Sequence, residues 1–355
     1  MDCIKFNHED NYINDFLILP KKLYNNHNNM EDYNSTKKLL LDEHPLSKYF
    51  KLNKFLIYKN KEVVGRFIIT EYLDEKKVCY IGFFECINDN KVARFLFNEA
   101  EKFAKEKKYK KIIGPVDASF WIKYRLKINI FNKRPYTGEP YNLDYYFKLF
   151  KNNKYKVIEH YTSNFFDKIS HDYSNSKYIE HYSEFNKLGY KIVKPNINDF
   201  DKCIEEIYKM IMNLYSDFPI FKSINKDDFI GLFSNYKKII NMSMVRMAYY
   251  KGNAVGFFIS IPNYNNRVYH LNFCNILKIL TIRRKPKEYI MLYMGVLKEH
   301  QGLGKALVYE IAEELKKQRT NGIGALMRDG KITQKYSEEI IDFQYEYVLM
   351  ERTII

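Results

Sequence analysis

The order of apolar and polar positions cuts the chain into strand-length and helix-length pieces. Residues 54–59 (KFLIYK), 63–72 and 78–86 (VCYIGFFEC) read as three successive strands. The third is almost wholly apolar or aromatic, as expected of a strand buried on both faces. From 91 to 107, Val92, Phe95, Leu96, Ala100 and Phe103 recur at helical spacing, with Asp89 or Asn90 placed to cap the helix. A short strand over 111–114 follows, then a long Tyr- and Pro-containing stretch, a helix over 143–150 and a strand over 156–166. Upstream, residues 11–24 are amphipathic but interrupted at Pro20.

After a polar, turn-rich linker at 167–176, a helix over 177–188 ends at Gly189. The second half then repeats the first in outline. A strand at 190–194 and helices at 199–215 and 227–236 precede two strands, 244–250 and 254–261, joined by the tight turn Lys251-Gly252-Asn253. A strand at 288–297, a helix at 305–318, a strand at 324–327, a helical segment at 331–339 and a last strand at 343–350 complete the chain. The expected class is α/β (α+β), with two mixed β-sheets flanked by helices and an internal duplication. The expected domains are 1–169 and 170–355.

Composition narrows the function without naming it. The 355 residues carry 58 Lys+Arg against 43 Asp+Glu, a net charge of +15. The excess is spread along a chain generally rich in Lys, Asn, Ile and Tyr, with no long basic block. It therefore reads as compositional bias that helps attract a phosphorylated ligand, and nucleic acid is the disfavoured partner. The five cysteines (Cys3, Cys79, Cys86, Cys203, Cys274) form no CxxC pair, so no metal site or disulfide framework is expected. No apolar run nears the ~20 residues of a membrane span, and the first residues lack the order of a signal peptide. The expectation is a cytoplasmic protein with no membrane partner.

One segment carries chemistry. In YIMLYMGVLKEHQGLGKAL (residues 289–307) a strand runs into a loop bearing Gln301, Gly302, Leu303 and Gly304, and a helix opens at about Lys305. Such a loop aims several backbone N–H groups at one point, and the helix dipole adds to them, making an anion site. A Cβ would obstruct a phosphate there. Ala306 is small, and Lys305 supplies one charge. The Walker pattern fails, because Ala306 follows Gly304-Lys305. The dinucleotide pattern fails as well, because Leu307 stands where its third glycine belongs.

The segment resembles the acyl-CoA-binding motif of the GNAT superfamily of N-acetyltransferases, Q/R-x-x-G-x-G/A, complete here from Gln301 to Ala306. The hairpin AYYKGNAVGFFISIPNYN and its Pro262-Asn263-Tyr264-Asn265 resemble large two-domain bacterial members. So do His44-Pro45, Val64-Gly65-Arg66, GFFECIND (residues 82–89) and Ile113-Gly114-Pro115 in the first half. The resemblance implies a tandem GNAT-like fold and acetyl-CoA as cofactor. It implies acetyl transfer to an amine on a small molecule or peptide. It also implies cofactor binding by Met294, Gly295, Val296, Gln301, Gly302, Leu303, Gly304, Lys305 and Ala306. By the same resemblance Tyr336 is the candidate acid for the departing thiolate, with Ser337 as the alternative in register. Glu288, His300, His270 and Asp199 offer no clear base. The first half reads Cys86-Ile87-Asn88-Asp89-Asn90-Lys91 at its corresponding loop, without glycine, so it is expected to be a degenerate copy. Alternative readings are a catalytically silent relative that binds CoA or a partner and, more distantly, a basic nucleic-acid-binding protein.

Overall fold

The computed structural model describes residues 1–354, the side chain of Ser337 excepted. Its contacts fall into two compact units, Met1–Tyr161 with residues 346 onward, and Thr162–Tyr345.

The first unit begins with β1 (Asp2–Phe6), α1 (Asp10–Leu23), α2 (Tyr33–Leu40), β2 (Phe50–Lys59), β3 (Glu62–Tyr72) and β4 (Val78–Cys86). It continues through α3 (Asn90–Glu106), β5 (Lys111–Gly114), the short strands β6 (Val116–Asp117), β7 (Lys123–Tyr124) and β8 (Leu126–Lys127), and α4 (Tyr146–Asn152). β1 to β4 pair antiparallel in sequence order. α3 then carries the chain across to β5, which pairs parallel to β4 from Val78↔Lys111 to Tyr80↔Ile113. The inner face of α3 (Val92, Leu96, Phe97, Ala100, Phe103) packs into a core with Phe55, Phe67, Ile81 and Phe84.

Pro20 does not end α1. The amide it lacks would have served the carbonyl of Phe16 four residues back. That carbonyl instead accepts a bond from Arg66 Nη1 at 2.6 Å, so the helix runs on to Leu23 with its backbone satisfied. The stretch after Gly114 forms unit interior. Lys127 and Glu139 are a fully buried ion pair at 2.7 Å; Tyr141 lies under the Lys127 ammonium, Glu139 accepts from Tyr136 N and Tyr347 Oη, and Tyr124 and Tyr146 are buried as well.

β9 (Lys156–Phe166) leads into the second unit. There α5 (Ser176–Lys187), β10 (Lys191–Val193), α6 (Phe200–Leu214), α7 (Lys226–Ser234), β11 (Val245–Tyr250) and β12 (Asn253–Pro262) precede the helix α8 (Phe273–Arg284). β13 (Glu288–Val296), α9 (Leu303–Gln318), β14 (Asn321–Arg328), a 3-10 segment Ile332–Ile340 and β15 (Phe343–Thr353) follow. β10 to β13 are antiparallel, and α9 crosses to β14, which pairs parallel to β13. Leu303, Ala306, Leu307, Ile311 and Leu315 of α9 meet Val255, Phe258 and Tyr289 in the core.

Each unit thus has antiparallel strands, a crossover helix and one parallel strand, the mixed architecture expected from the periodicity. The end of the chain departs from the expected division. Residues from Tyr347 on pair with β8 and β5, for example Met350↔Gly114, and so complete the first unit's sheet. Alternating aromatic residues specify a strand without specifying which edge it will satisfy. Besides the two-residue strands β6, β7 and β8, the elements β1, α2 and α8 were not expected from the sequence. β1 is short and polar until paired with β2, and α2 is held by its Asp32 cap on Ser35 N at 3.0 Å.

Candidate functional site

The second unit's site grows from a strand that loses its neighbour. β13 and β14 pair from Glu288↔Asn321 to Met291↔Gly324. β13 then runs on to Val296 with β12 alone, and a bulge between Ile259 and Ser260 shifts its register there. Leu297 N donates to Val255 O on the β12 side at 3.0 Å. By the alternation of a strand's amides, the N–H of Val296 faces the opposite, opened side. On that side the Met294 carbonyl accepts a long bond from Tyr215 Oη at 3.5 Å. Gly295 is required by packing. A Cβ there would stand 2.5 Å from Leu214 Cδ1 and 2.7 Å from Phe257 Cε1.

The loop after β13 makes one 3-10 turn, Lys298–His300, and reaches α9 through Gln301 and Gly302. Gly302 stands at the N-cap in the left-handed region (φ 96°) and, being glycine, brings no side chain to cap the helix. Lys305 N returns to Gly302 O at 3.1 Å. The N–H groups of Leu303 and Gly304 belong to the first turn, which an α-helix leaves without internal acceptors. The side chains of Leu303 and Ala306 are buried in the core and anchor the helix, so only their backbone is available to a ligand. Gln301 is exposed at the rim. Lys305 Nζ bonds His181 Nε2 of α5 at 2.9 Å. This makes His181 Nε2 the acceptor and puts the ring proton on Nδ1, 4.0 Å from Glu184 Oε2.

Tyr336 comes over the same helix end. A Cβ on Gly304 would lie 2.6 Å from Tyr336 Oη and 2.9 Å from Met294 Cε. The fold therefore brings Met294, Gly304 and Tyr336 together from a strand, a helix start and a 3-10 segment. The Tyr336 carbonyl accepts from Tyr178 Oη at 2.8 Å, and burial raises the pKa of its phenol. The alternative at Ser337 lies outside the described side chains. Sequence reasoning missed His181, Tyr178 and Tyr215. Their helices carry no motif, and only packing brings them to the loop.

Glu288, His300 and Asp199, three of the other candidates for acid–base work, have their side chains engaged elsewhere. Glu288 Oε2 accepts from Asn263 Nδ2 at 2.5 Å, latching the Pro-Asn-Tyr-Asn turn to β13. His300 Nδ1 meets Tyr190 Oη at 2.7 Å. Asp199 closes a capping box with Asn196. His270 offers its carbonyl to Asn275 Nδ2 at 2.7 Å. Among the described residues no group of three or more His, Cys, Asp or Glu could hold a metal.

The corresponding turn of the first unit is chemically different. Asp89 N-caps α3, its carboxylate accepting from Lys91 N at 2.8 Å, and Lys59 pairs with it at 3.3 Å. A carboxylate thus already occupies the place where a helix N-terminus would hold an external anion. Where the parallel pairing of β4 and β5 stops, the first unit places a buried ion cluster. Arg66 bonds Glu31 at 2.8 Å and lies 3.8 Å from Glu85.

No family model matches this sequence, and no curated protein matches it. Among solved structures, a tandem GNAT protein from the clavulanic acid biosynthesis pathway aligns over 100% of this chain and 98% of its own, with 10% identity and a TM-score of 0.53. A GNAT-family acetyltransferase from Colwellia psychrerythraea aligns over 100% of both chains at 10% identity and a TM-score of 0.50. A GCN5-related glucosamine N-acetyltransferase region of a fungal multi-domain GH3 β-N-acetylglucosaminidase aligns over 99% of this chain and 38% of that one, at 12% identity and a TM-score of 0.54. At such identities the likeness is one of fold. The antiparallel strands, the crossover helix and the parallel strand that parts from its neighbour, found in both units, are accounted for together: this chain has the GNAT fold in its tandem form.

Proposed function

We propose that the second unit binds acetyl-CoA and transfers its acetyl group to an amine on a small molecule or peptide. The observation that supports this best is the uncapped, glycine-bearing start of α9 beside the opened end of β13. The helix end fits a pyrophosphate. The N–H groups of Leu303 and Gly304 lie in the first turn, which an α-helix leaves without internal acceptors, and Lys305 follows them with a positive charge. Gln301 and Ala306 complete the rim and floor. Met294, Gly295 and Val296 offer strand backbone to the pantetheine arm and the thioester carbonyl.

Bound acetyl-CoA supplies an activated thioester. The chain's own part is to hold it, to polarise the carbonyl through backbone N–H groups, and to protonate the leaving thiolate. Tyr336 suits the last task by position, because its hydroxyl lies over the first turn of α9 beside Met294 and a phenol carries its proton at neutral pH. Calorimetry with CoA and acetyl-CoA, followed by free-thiol release over a panel of amines and polyamines, tests the reading. Failure to bind either ligand overturns it.

A second reading, a CoA-binding protein without turnover, is favoured by one observation. Glu288, His300 and Asp199 are all committed to structural bonds. Amine deprotonation would then fall to water. CoA binding without thiol release from any amine is the outcome that selects this reading.

A further inference from the structure

The connection between β12 and β13 carries an apolar helix turned inside out. On α8, Phe273, Ile276, Leu277 and Leu280 follow the i, i+3, i+4, i+7 spacing of one helical face. That face is the exposed one. Leu271 just before the helix is 67% exposed, Phe273 76%, Ile276 46%, Leu277 49% and Leu280 48%. The opposite side fixes the helix to the unit. Ile279 is buried, Asn275 Nδ2 bonds His270 O at 2.7 Å, and Arg283 Nε donates to Ile240 O at 3.3 Å. Other exposed apolar side chains of the described residues, such as Leu73, Leu188 and Ile332, are scattered. Five within ten residues form a patch of the kind that marks an interaction site.

The charge around the stripe selects its occupant. Lys278, Arg283, Arg284, Lys285 and Lys287 fall within or just after the helix, and no acidic residue stands between Leu271 and Lys287. Lys278, Arg284, Lys285 and Lys287 are exposed. Two copies pairing through this stripe would press like charges together. An anionic lipid surface neutralises them, and it accepts a convex row of side chains without needing a complementary groove.

We propose that α8 is an interfacial helix that docks the protein on anionic lipid headgroups, with Phe273, Ile276, Leu277 and Leu280 entering the acyl boundary and the flanking Lys and Arg meeting the phosphates. The proposal is independent of the acyl-transfer reading. It does not require a membrane span: no helix of the described residues is long and apolar enough to cross, whereas an interfacial helix lies in the plane.

The test is co-sedimentation of the full chain with vesicles of phosphatidylcholine alone and of phosphatidylcholine mixed equally with phosphatidylglycerol. The expected result is binding to the mixed vesicles only. The triple variant Ile276→Gln/Leu277→Gln/Leu280→Gln should bind them at least about ten-fold more weakly, with an unchanged thermal melt because these side chains are exposed. Absence of wild-type binding to the anionic vesicles overturns the proposal. Equal binding by the triple variant also overturns it, since the diffuse net charge would then suffice. So does a wild-type dimer by light scattering that the triple variant loses, without vesicle binding by either form, because the stripe would then be a contact between copies.

Discussion

The hydroxyl of Tyr336 lies over the first turn of α9, so close to Gly304 that a Cβ on that glycine would stand 2.6 Å from it. Glycine there leaves room for the tyrosine and for Met294 Cε in the protein as it stands. The contact makes the two residues energetically coupled, which can be measured.

Gly304→Ala should destabilise the protein by about 1–2 kcal/mol, because the added methyl meets Tyr336 Oη and Met294 Cε in a filled space. In a Tyr336→Phe background the nearest atom, the hydroxyl, is gone and the next ring atom is at 3.5 Å. The penalty should shrink there. Urea denaturation of the four proteins of this double-mutant cycle reads a coupling on the order of 1 kcal/mol. Additive effects would mean the two side chains do not meet.

Gly304→Glu should remove CoA binding. It sets a carboxylate against the helix end that is proposed to receive the pyrophosphate, on a residue with no space for it. Calorimetry showing undiminished affinity would move the cofactor site elsewhere.

Tyr336→Phe should lower turnover about 10²–10⁴-fold, the usual range for a general acid, with CoA affinity little changed because binding rests on the loop and strand backbone. The check is thiol release with whichever amine the panel identifies. Wild-type rates in the variant would remove Tyr336 from the chemistry.

One CoA should bind per chain. The start of α3 already holds the Asp89 carboxylate, bonded to Lys91 N and paired with Lys59, whereas the N-cap of α9 is Gly302, which brings no carboxylate. Titration to saturation measures the ratio, and a value near two would show that the first unit has a cofactor site of its own.

Glu85 gives the first unit a pH signature. Burial pushes its pKa up to about 7, against the opposing pull of Arg66 and the Tyr146 bond. A carboxyl whose folded pKa lies above its unfolded value binds more protons in the native state. Its contribution therefore falls as pH rises from about 4.5 toward 7. Glu85→Gln removes that titration. Relative to wild type, the variant should gain stability between pH 5 and pH 8, read from melting midpoints across the range. A constant difference would show that Glu85 does not titrate there.

Most of the elements were legible because periodicity is local. The strands at 78–86, 111–114 and 156–166 fall where the apolar runs stand, and α3 and α9 follow their inward stripes to within two residues at each end. The loop from Gln301 to Ala306 was legible for the same reason, since a glycine-bearing turn between a strand and an amphipathic helix is written in adjacent residues. α1 running through Pro20 was not legible. Its rescue comes from Arg66, whose guanidinium donates to the Phe16 carbonyl that proline leaves free, across 50 residues of chain. Nor was the partner of the last strand, because alternation fixes faces and leaves edges open.

The sequence by itself determined two runs of antiparallel strands, each followed by a crossover helix and a parallel strand, and one glycine-bearing helix start, all set by spacing within a few residues. Tertiary structure alone decided that β13 parts from β14 after Met291, that Tyr336 and Met294 meet over Gly304, and that His181 holds Lys305. It also decided that the apolar stripe of α8 faces outward. Each of these joins residues distant in the chain. What brings them together is the packing of whole elements, which local patterns of hydrophobicity and charge do not encode.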